Sequence, residues 1–104
     1  SSVATAEEGE RIAATLVQER LAACVHVLPV GVSWFFWEGK VTQESEHLIF
    51  IKTTQDLYPQ LQERIETLHS YQTPEIIALP ILQGSADYLQ WMASVCVRNE
   101  QNTT

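Results

Sequence analysis

The sequence predicts an α+β domain in which helices cover one side of an antiparallel sheet. Its 104 residues are enough for one domain with one hydrophobic core. The composition, 45% hydrophobic and 18% charged, is typical of a folded globular protein. Apolar periodicity indicates the order helix, strand, strand, helix, strand, helix, and this alternation of hairpins with helices favours the α+β class.

A helix-start signal lies near the beginning of the chain. Thr5 and Glu8 form a capping box, in which Thr5 caps the helix and Glu8 is expected to reach back to the Thr5 amide. Ile12 and Leu16 follow at helical spacing. We expect this helix to end between residues 21 and 23.

A run of Val and aromatic residues from Cys24 to Trp37 predicts one long strand, because these residue types favour extended backbone. Pro29 and Gly31 interrupt the run and indicate a bulge. Gly39 predicts a tight hairpin turn directly after the strand, since it tolerates positive φ.

The returning half of the hairpin is predicted in two pieces. Residues 40–43 continue the pairing, and the polar residues 44–46 are expected to break it. A second strand then runs from residue 47 to 54, with Ile49 and Ile51 on one face.

Four consecutive aromatic residues end the long strand. Alternation puts Trp34 and Phe36 on one face and Phe35 and Trp37 on the other. We expect one pair to pack beneath the helices of the chain itself, so that the other pair needs a different cover.

Two more helices and one more strand follow. An apolar stripe predicts the second helix, made of Leu57, Leu61, Ile65 and Leu68. Residues 75–82 predict a strand that Pro80 confines to an edge or a bulge, and Ser85 starts a C-terminal helix. We expect residues 1–97 to form a single domain and residues 98–104 a flexible tail.

A strand before the first helix would complete the βαββαβ pattern of the ferredoxin-like fold, to which the C-terminal helix is an addition. Residues 1–4 are those left to supply that strand.

Composition excludes several classes of function. The net charge of −7 with six Lys and Arg argues against binding to nucleic acid and to anionic membranes. The two cysteines form no CxxC pattern, which argues against a zinc cassette and favours a reducing, cytoplasmic setting. The chain carries no recognisable catalytic motif, so we expect it not to be an enzyme.

Five blocks of sequence, in this order and spacing, resemble the CutA family of divalent-cation tolerance proteins. They are ERLAAC (19–24), WEGK (37–40), IKTT (51–54), YQTPEIIALPI (71–81) and DYLQW (87–91). The resemblance implies a ferredoxin-like fold assembled as a homotrimer, and a link to metal tolerance with Cu(II) or another divalent cation as the bound ion. An alternative is a regulatory module similar to the PII proteins, which binds small molecules in clefts between subunits.

The trimer implied by the resemblance would close the sheet face that lies away from the helices. The uncovered aromatic pair would then pack against neighbouring subunits, as in an obligate interface.

The resemblance also suggests metal ligands. Of the Cys and His-His ligands proposed in the family, this chain keeps His69, while Leu68 replaces the other histidine and Ser1 or its neighbour replaces the cysteine. Cys24 is a second soft ligand, although its position among apolar residues at a strand start favours the role of a small buried hydrophobe. His26 is expected to be a hydrogen-bonded histidine at an interface rather than a ligand.

The resemblance places a second group of residues at the cleft between subunits. Its members are Trp37, Lys52, Tyr71, Glu75 and Trp91. They could form a ligand pocket with an aromatic wall. Alternatively, Lys52 and Glu75 could form an ion pair, within a subunit or between subunits, beside stacked aromatic rings.

Overall fold

Three strands and three α-helices occupy residues 1–97, the part of the chain that this computed structural model describes. The predicted tail, residues 98–104, lies outside the described residues. The α+β class with an antiparallel sheet is confirmed. The elements are β1 (Ser2–Val3), α1 (Ala6–Gln18), β2 (Cys24–Trp37), β3 (Lys40–Lys52), a 3₁₀ turn (Gln55–Leu57), α2 (Tyr58–Leu68) and α3 (Ala86–Val95).

The sheet is built around one long hairpin. Its strand order is β1-β3-β2, and β2 pairs with β3 from Cys24–Lys52 to Trp37–Lys40. Glu38 and Gly39 make the two-residue loop, with φ of 51° and 77°. Positive φ at both positions is the geometry that matches the twist of a tight hairpin. The predicted bounds of β2 are confirmed.

A bulge divides the hairpin into an inner and an outer half. The register shifts between Val27 and Val30, where Pro29 has no amide hydrogen to donate, so the predicted bulge is confirmed. The predicted break at residues 44–46 is wrong, because these residues pair with residues 31–33 and β3 runs through them. The strands pair through backbone N–H and C=O groups, so polar side chains do not prevent the pairing.

The core lies between the inner half of the sheet and the helices α1 and α2. Ile49 is buried and Ile51 packs against the same cluster, whereas Leu48 and Phe50 on the opposite face are exposed. This confirms the predicted facing of β3. The buried cluster consists of Val3, Ile12, Leu16, Leu21, Ala22, Ile49, Leu57, Leu61 and Ile65.

Helix α1 begins as predicted and ends earlier. The Thr5 hydroxyl accepts a hydrogen bond from the Glu8 amide at 3.1 Å, which is the expected cap. The helix ends at Gln18, because Arg20 adopts left-handed backbone with φ of 61° and its amide donates to Val17. Gly9 lets the helix approach the sheet, since a Cβ there would lie 3.0 Å from Val27.

The aromatic end of the hairpin is uncovered on both faces. Trp34, Phe35, Phe36 and Trp37 are 67%, 38%, 75% and 56% exposed. The prediction that one pair packs beneath the chain's own helices is therefore wrong. The helices reach only the inner half of the hairpin, and no residue from 28 to 46 is buried. The radius of gyration of 15.0 Å exceeds the roughly 13 Å of a compact chain of this length, in agreement with a projecting hairpin.

Residues 75–82 form no strand, which corrects the prediction made for them. They are irregular, and Ile77, Leu79, Ile81 and Leu82 are exposed. A β-strand needs a neighbouring strand with which its backbone N–H and C=O groups can form hydrogen bonds. Strand β1 contributes only Ser2 and Val3, both paired with β3, so the described chain offers this segment no ladder to join.

We expect Arg20→Gly to leave the protein as stable or to stabilise it by up to about 1 kcal/mol, because left-handed backbone costs a side-chain-bearing residue about that much. Ala14→Gly, at an exposed position inside α1, is the control and should cost about 1 kcal/mol. Urea unfolding measures both changes. Equal destabilisation by the two variants would contradict the left-handed cap.

Candidate functional site

One predicted cleft residue, Lys52, lies at the root of the hairpin with two aromatic rings. Its ammonium group stands 5.5 Å from the centre of the Tyr88 ring, within the range of a cation–π contact. The ring of Trp91 lies 5.5 Å from that of Tyr88. Lys52 and Trp91 are thus joined through Tyr88, which the sequence analysis did not single out.

Tyr71 belongs to a different cluster, beside the bulge. Its hydroxyl donates to Glu46 at 2.8 Å, and the hydroxyls of Ser33 and Ser2 donate to the same carboxylate. Burial and the Glu46 carboxylate raise the pKa of Tyr71 to about 12. The cluster ties the loop after α2 to the outer half of the hairpin.

The other two cleft residues lie elsewhere. Glu75 is exposed, in the irregular segment that follows the loop 69–71. Trp37 ends β2 at the hairpin tip, thirteen residues from the Cys24–Lys52 pair, or roughly 40 Å of strand. Lys52 and Glu75 form no ion pair within residues 1–97. The five predicted residues therefore do not form one cluster in a single chain: Lys52 and Trp91 meet at Tyr88, and the other three lie apart from them.

His69, a predicted metal ligand, has both ring nitrogens engaged. Nε2–H donates to the Ser2 carbonyl at 2.7 Å, and Nδ1 accepts from the Tyr71 amide at 3.0 Å. The side chain is fully buried. To bind a metal, the imidazole would have to give up either the bond that connects the loop to β1 or the bond to Tyr71 that shapes the loop itself.

Glu8 holds the same loop from the side of α1. Its carboxylate accepts from the Ser70 amide at 2.8 Å and from the Ser70 hydroxyl at 3.0 Å. The expectation that Glu8 returns to Thr5 is wrong, because these two donors take its oxygens. Burial opposes the ionisation of Glu8, but the Ser70 bonds and the nearby His69 and Arg11 outweigh burial and lower the pKa of Glu8.

Cys24, the other predicted metal ligand, lies near His26. The sulfur stands 4.0 Å from Nε2 of His26. Cys24 starts β2 opposite Lys52, whereas His69 contacts Ser2, which pairs with Leu48. Four residues of β3 separate these two registers, or roughly 13 Å. The chain therefore does not bring Cys24 and His69 into one site.

The positions of Cys24, His26 and His69 decide whether one chain can coordinate a metal ion by itself. Within residues 1–97, no group of three or more His, Cys, Asp or Glu side chains converges as a coordination shell. A structural zinc site takes four such ligands and a catalytic one takes three. A complete coordination shell would therefore need ligands from water or from another copy of the chain.

The polar residues that organise the site could not be predicted from the sequence. Glu46 looked like part of a strand break, and Glu8 looked like a local cap. Both act on residues distant in sequence, Tyr71 and Ser70. Local patterns carry no signal for such contacts.

An antiparallel sheet with helices on one side and a projecting aromatic hairpin define a small α+β protein. Residues 1–95 match the family described as CutA1 divalent ion tolerance protein. The chain belongs to this family, and the resemblance found in the five sequence blocks is confirmed.

Relatives support the assignment. The chain is 45% identical over 91 residues to the divalent-cation tolerance protein CutA of Thermus thermophilus, which covers 88% of each chain. It is 47% identical to the chloroplastic protein CutA of Arabidopsis thaliana over 88% of this chain, and spans about half (50%) of that longer relative. The periplasmic divalent cation tolerance protein CutA of Archaeoglobus fulgidus superposes with a TM-score of 0.89 at 34% identity, covering 92% of this chain and 93% of the other.

Helices in the described range are all too short or too polar to cross a membrane.

Glu8→Gln tests the contact between α1 and the loop. A carboxyl whose pKa is lowered by folding adds stability that is full above its unfolded pKa of about 4.5 and is lost as the pH falls through the folded value. We expect Glu8→Gln to cost about 1–3 kcal/mol at pH 7, since bonds to a charged group are lost. The difference from the native protein should shrink below pH 4.

The matched control is Glu7→Gln, an exposed position in the same helical turn, which should change stability by less than about 0.5 kcal/mol. Chemical unfolding between pH 3 and pH 7 measures both variants. A Glu8→Gln cost that does not change with pH would show that the charge of Glu8 plays no part.

Proposed function

We propose that the protein is a homotrimer that contributes to divalent-cation tolerance by binding divalent metal ions, Cu(II) among them, between its subunits. The observation that carries the proposal is the uncovered aromatic end of the hairpin. The family description supplies the link to divalent cations. The number of three subunits is what the resemblance of the sequence blocks implies.

Uncovered apolar surface supports assembly. Monomeric proteins rarely expose large contiguous apolar patches, because each buried Å² of such surface is worth about 25 cal/mol. Interface cores are enriched in aromatic side chains. The outer hairpin exposes four aromatic side chains in sequence, with Val30, Val32 and Val41 exposed beside them.

The irregular segment 75–82 supports the same conclusion. It exposes Ile77, Leu79, Ile81 and Leu82, and it contributes to no ladder in the described chain. Its composition, with three Ile residues and a Pro, suits a strand at the edge of a sheet. We propose that it packs against the hairpin of a neighbouring copy, so that each copy covers an apolar surface of another.

This assembly would also bring the predicted cleft residues together. Beyond the bulge, the hairpin projects by seven residues, or roughly 20 Å, from Val30 to Trp37. That reach can carry Trp37 to the Tyr71, Glu75 or Lys52 of a neighbour. The cleft is therefore proposed as a property of the assembly, with His69 and Cys24 as candidate ligands near it.

A sensor of small molecules is not favoured as the function, because the matching family and relatives are named for divalent-cation tolerance and not for a small-molecule ligand. We propose that the protein acts by binding and not by catalysis, since the family is named for tolerance and not for a reaction.

A cytoplasmic location remains a prediction from the unpaired Cys24 and Cys96. The relative from Arabidopsis thaliana is named as a chloroplastic protein, and the one from Archaeoglobus fulgidus as a periplasmic protein.

Light scattering after size exclusion tests the assembly. We expect a mass of about 35 kDa, three times the 11.8 kDa chain. Phe36→Lys should lower the mass to that of one chain while the fold is kept, because Phe36 is exposed within the single chain. Val17→Lys, at an exposed apolar position on α1, is the control and should stay trimeric. A native mass of one chain, or a trimer in both variants, would contradict the proposal.

Calorimetric titration with Cu(II) tests the metal proposal separately. We expect saturable binding that is tighter than binding to an unrelated protein of similar size with the same net charge of −7. The control removes the general attraction of cations to an acidic surface. Heats that match those of the control protein would exclude a copper site.

A further inference from the structure

We propose that Cys24 and His26 together form a chelating pair for a soft or borderline divalent cation such as cadmium, zinc or copper. The proposal rests on the proposed function, because it names the residues by which this chain would hold a metal. It adds His26, which the sequence analysis treated as an interface residue, and it gives Cys24 a partner.

The strand geometry puts the two side chains side by side. Cys24 and His26 are two residues apart in β2, so they point to the same face of the sheet. Val25 between them packs against the core, which directs Cys24 and His26 to the face away from α1 and α2. Regular pairing with Lys52 and Phe50 of β3 fixes the backbone beneath them.

The separation of the two ligand atoms suits chelation. Metal–sulfur and metal–imidazole bonds of about 2.3 and 2.05 Å at a tetrahedral angle place sulfur and nitrogen about 3.6 Å apart. The observed distance from Sγ to Nε2 is 4.0 Å. A small rotation of either side chain closes the difference, so binding needs no movement of the strand.

The ring nitrogen of His26 has no competing partner in the described chain beyond that sulfur. The other two histidines differ. His69 has both nitrogens engaged by Ser2 and Tyr71, and His47 has its Nδ1 bonded to the Leu28 carbonyl at 2.9 Å. Neither of them lies beside a cysteine.

Cys96 provides the contrast for Cys24. Its sulfur lies 3.9 Å from the Thr53 hydroxyl, and it packs against the core cluster. No imidazole stands next to it among residues 1–97. Thiolate and imidazole are the ligands that zinc, cadmium and copper prefer, and His26 supplies the imidazole only to Cys24.

Binding changes the protonation of the pair in a defined way. Cys24 binds as a thiolate and releases its proton to solvent, while His26 binds as neutral imidazole through Nε2. Each chain supplies two ligands, and water or a neighbouring copy of the chain completes the shell. Lys52 lies across the ladder from Cys24 and adds a positive charge nearby, so we expect this site to be weaker than a complete cysteine–histidine cage.

A cadmium titration at pH 7 tests the pair, followed by the ultraviolet charge-transfer absorption of the thiolate–cadmium bond. The native protein should show this band with one cadmium ion per chain. Cys24→Ser should abolish the band, and His26→Gln should weaken binding at least tenfold while the band persists at saturation. Cys96→Ser, the matched control, should behave as the native protein.

Circular dichroism of each variant shows whether it is folded, and light scattering gives its mass. A band that survives Cys24→Ser and disappears in Cys96→Ser would overturn the proposal and leave metal binding by this protein intact. Unchanged affinity in His26→Gln would overturn the chelating pair. If the native protein showed no cadmium band and no specific binding in the calorimetric titration with Cu(II), both this pair and the proposed metal function would be contradicted, whatever the mass of the assembly.

Discussion

The pairing of β2 with β3 is the constraint on which the rest of the structure depends. Its register runs from Cys24–Lys52 at the root to Trp37–Lys40 at the tip. At the root, the ladder directs Ile49 towards the helices and Cys24 and His26 away from them. Towards the tip, the same ladder fixes the positions of the aromatic side chains, which stay exposed because the helices do not extend that far. One hairpin thus creates both the core and the uncovered surface that needs a partner.

A polar network ties the helices to this hairpin. Glu8 of α1 holds Ser70, and the neighbouring Tyr71 holds Glu46, which lies beyond the bulge. His69 is buried between them as part of the framework. Buried polar groups that are fully bonded fix a unique arrangement, because an unpaired one would cost about 1–3 kcal/mol. The loop 69–71 therefore sets how the projecting half of the hairpin stands relative to the core.

Features governed by local chemistry could be predicted from the sequence, and features governed by distant contacts could not. Thr5, the bulge at Pro29 and the ends of β2 follow from capping, proline chemistry and strand propensity. Segment 75–82 has strand composition but no neighbour in the described chain. For the site, Cys24 and Tyr71 stay candidate residues. The alternation of β2 alone puts His26 on the face of Cys24, whereas Glu46 meets Tyr71 across 25 positions of the sequence, a contact that only the fold reveals.

Hydrogen exchange of the backbone amides in residues 30–43 tests most directly whether other copies of the chain cover the outer hairpin. A two-stranded ribbon without a covering layer is marginally stable, so its amides exchange quickly. We expect these amides to exchange as slowly as those of β3 near Ile49 in the native protein, and to lose that protection when Phe36→Lys separates the subunits. Rapid exchange of residues 30–43 in the native protein at high concentration would show that the hairpin is uncovered and would contradict assembly through it.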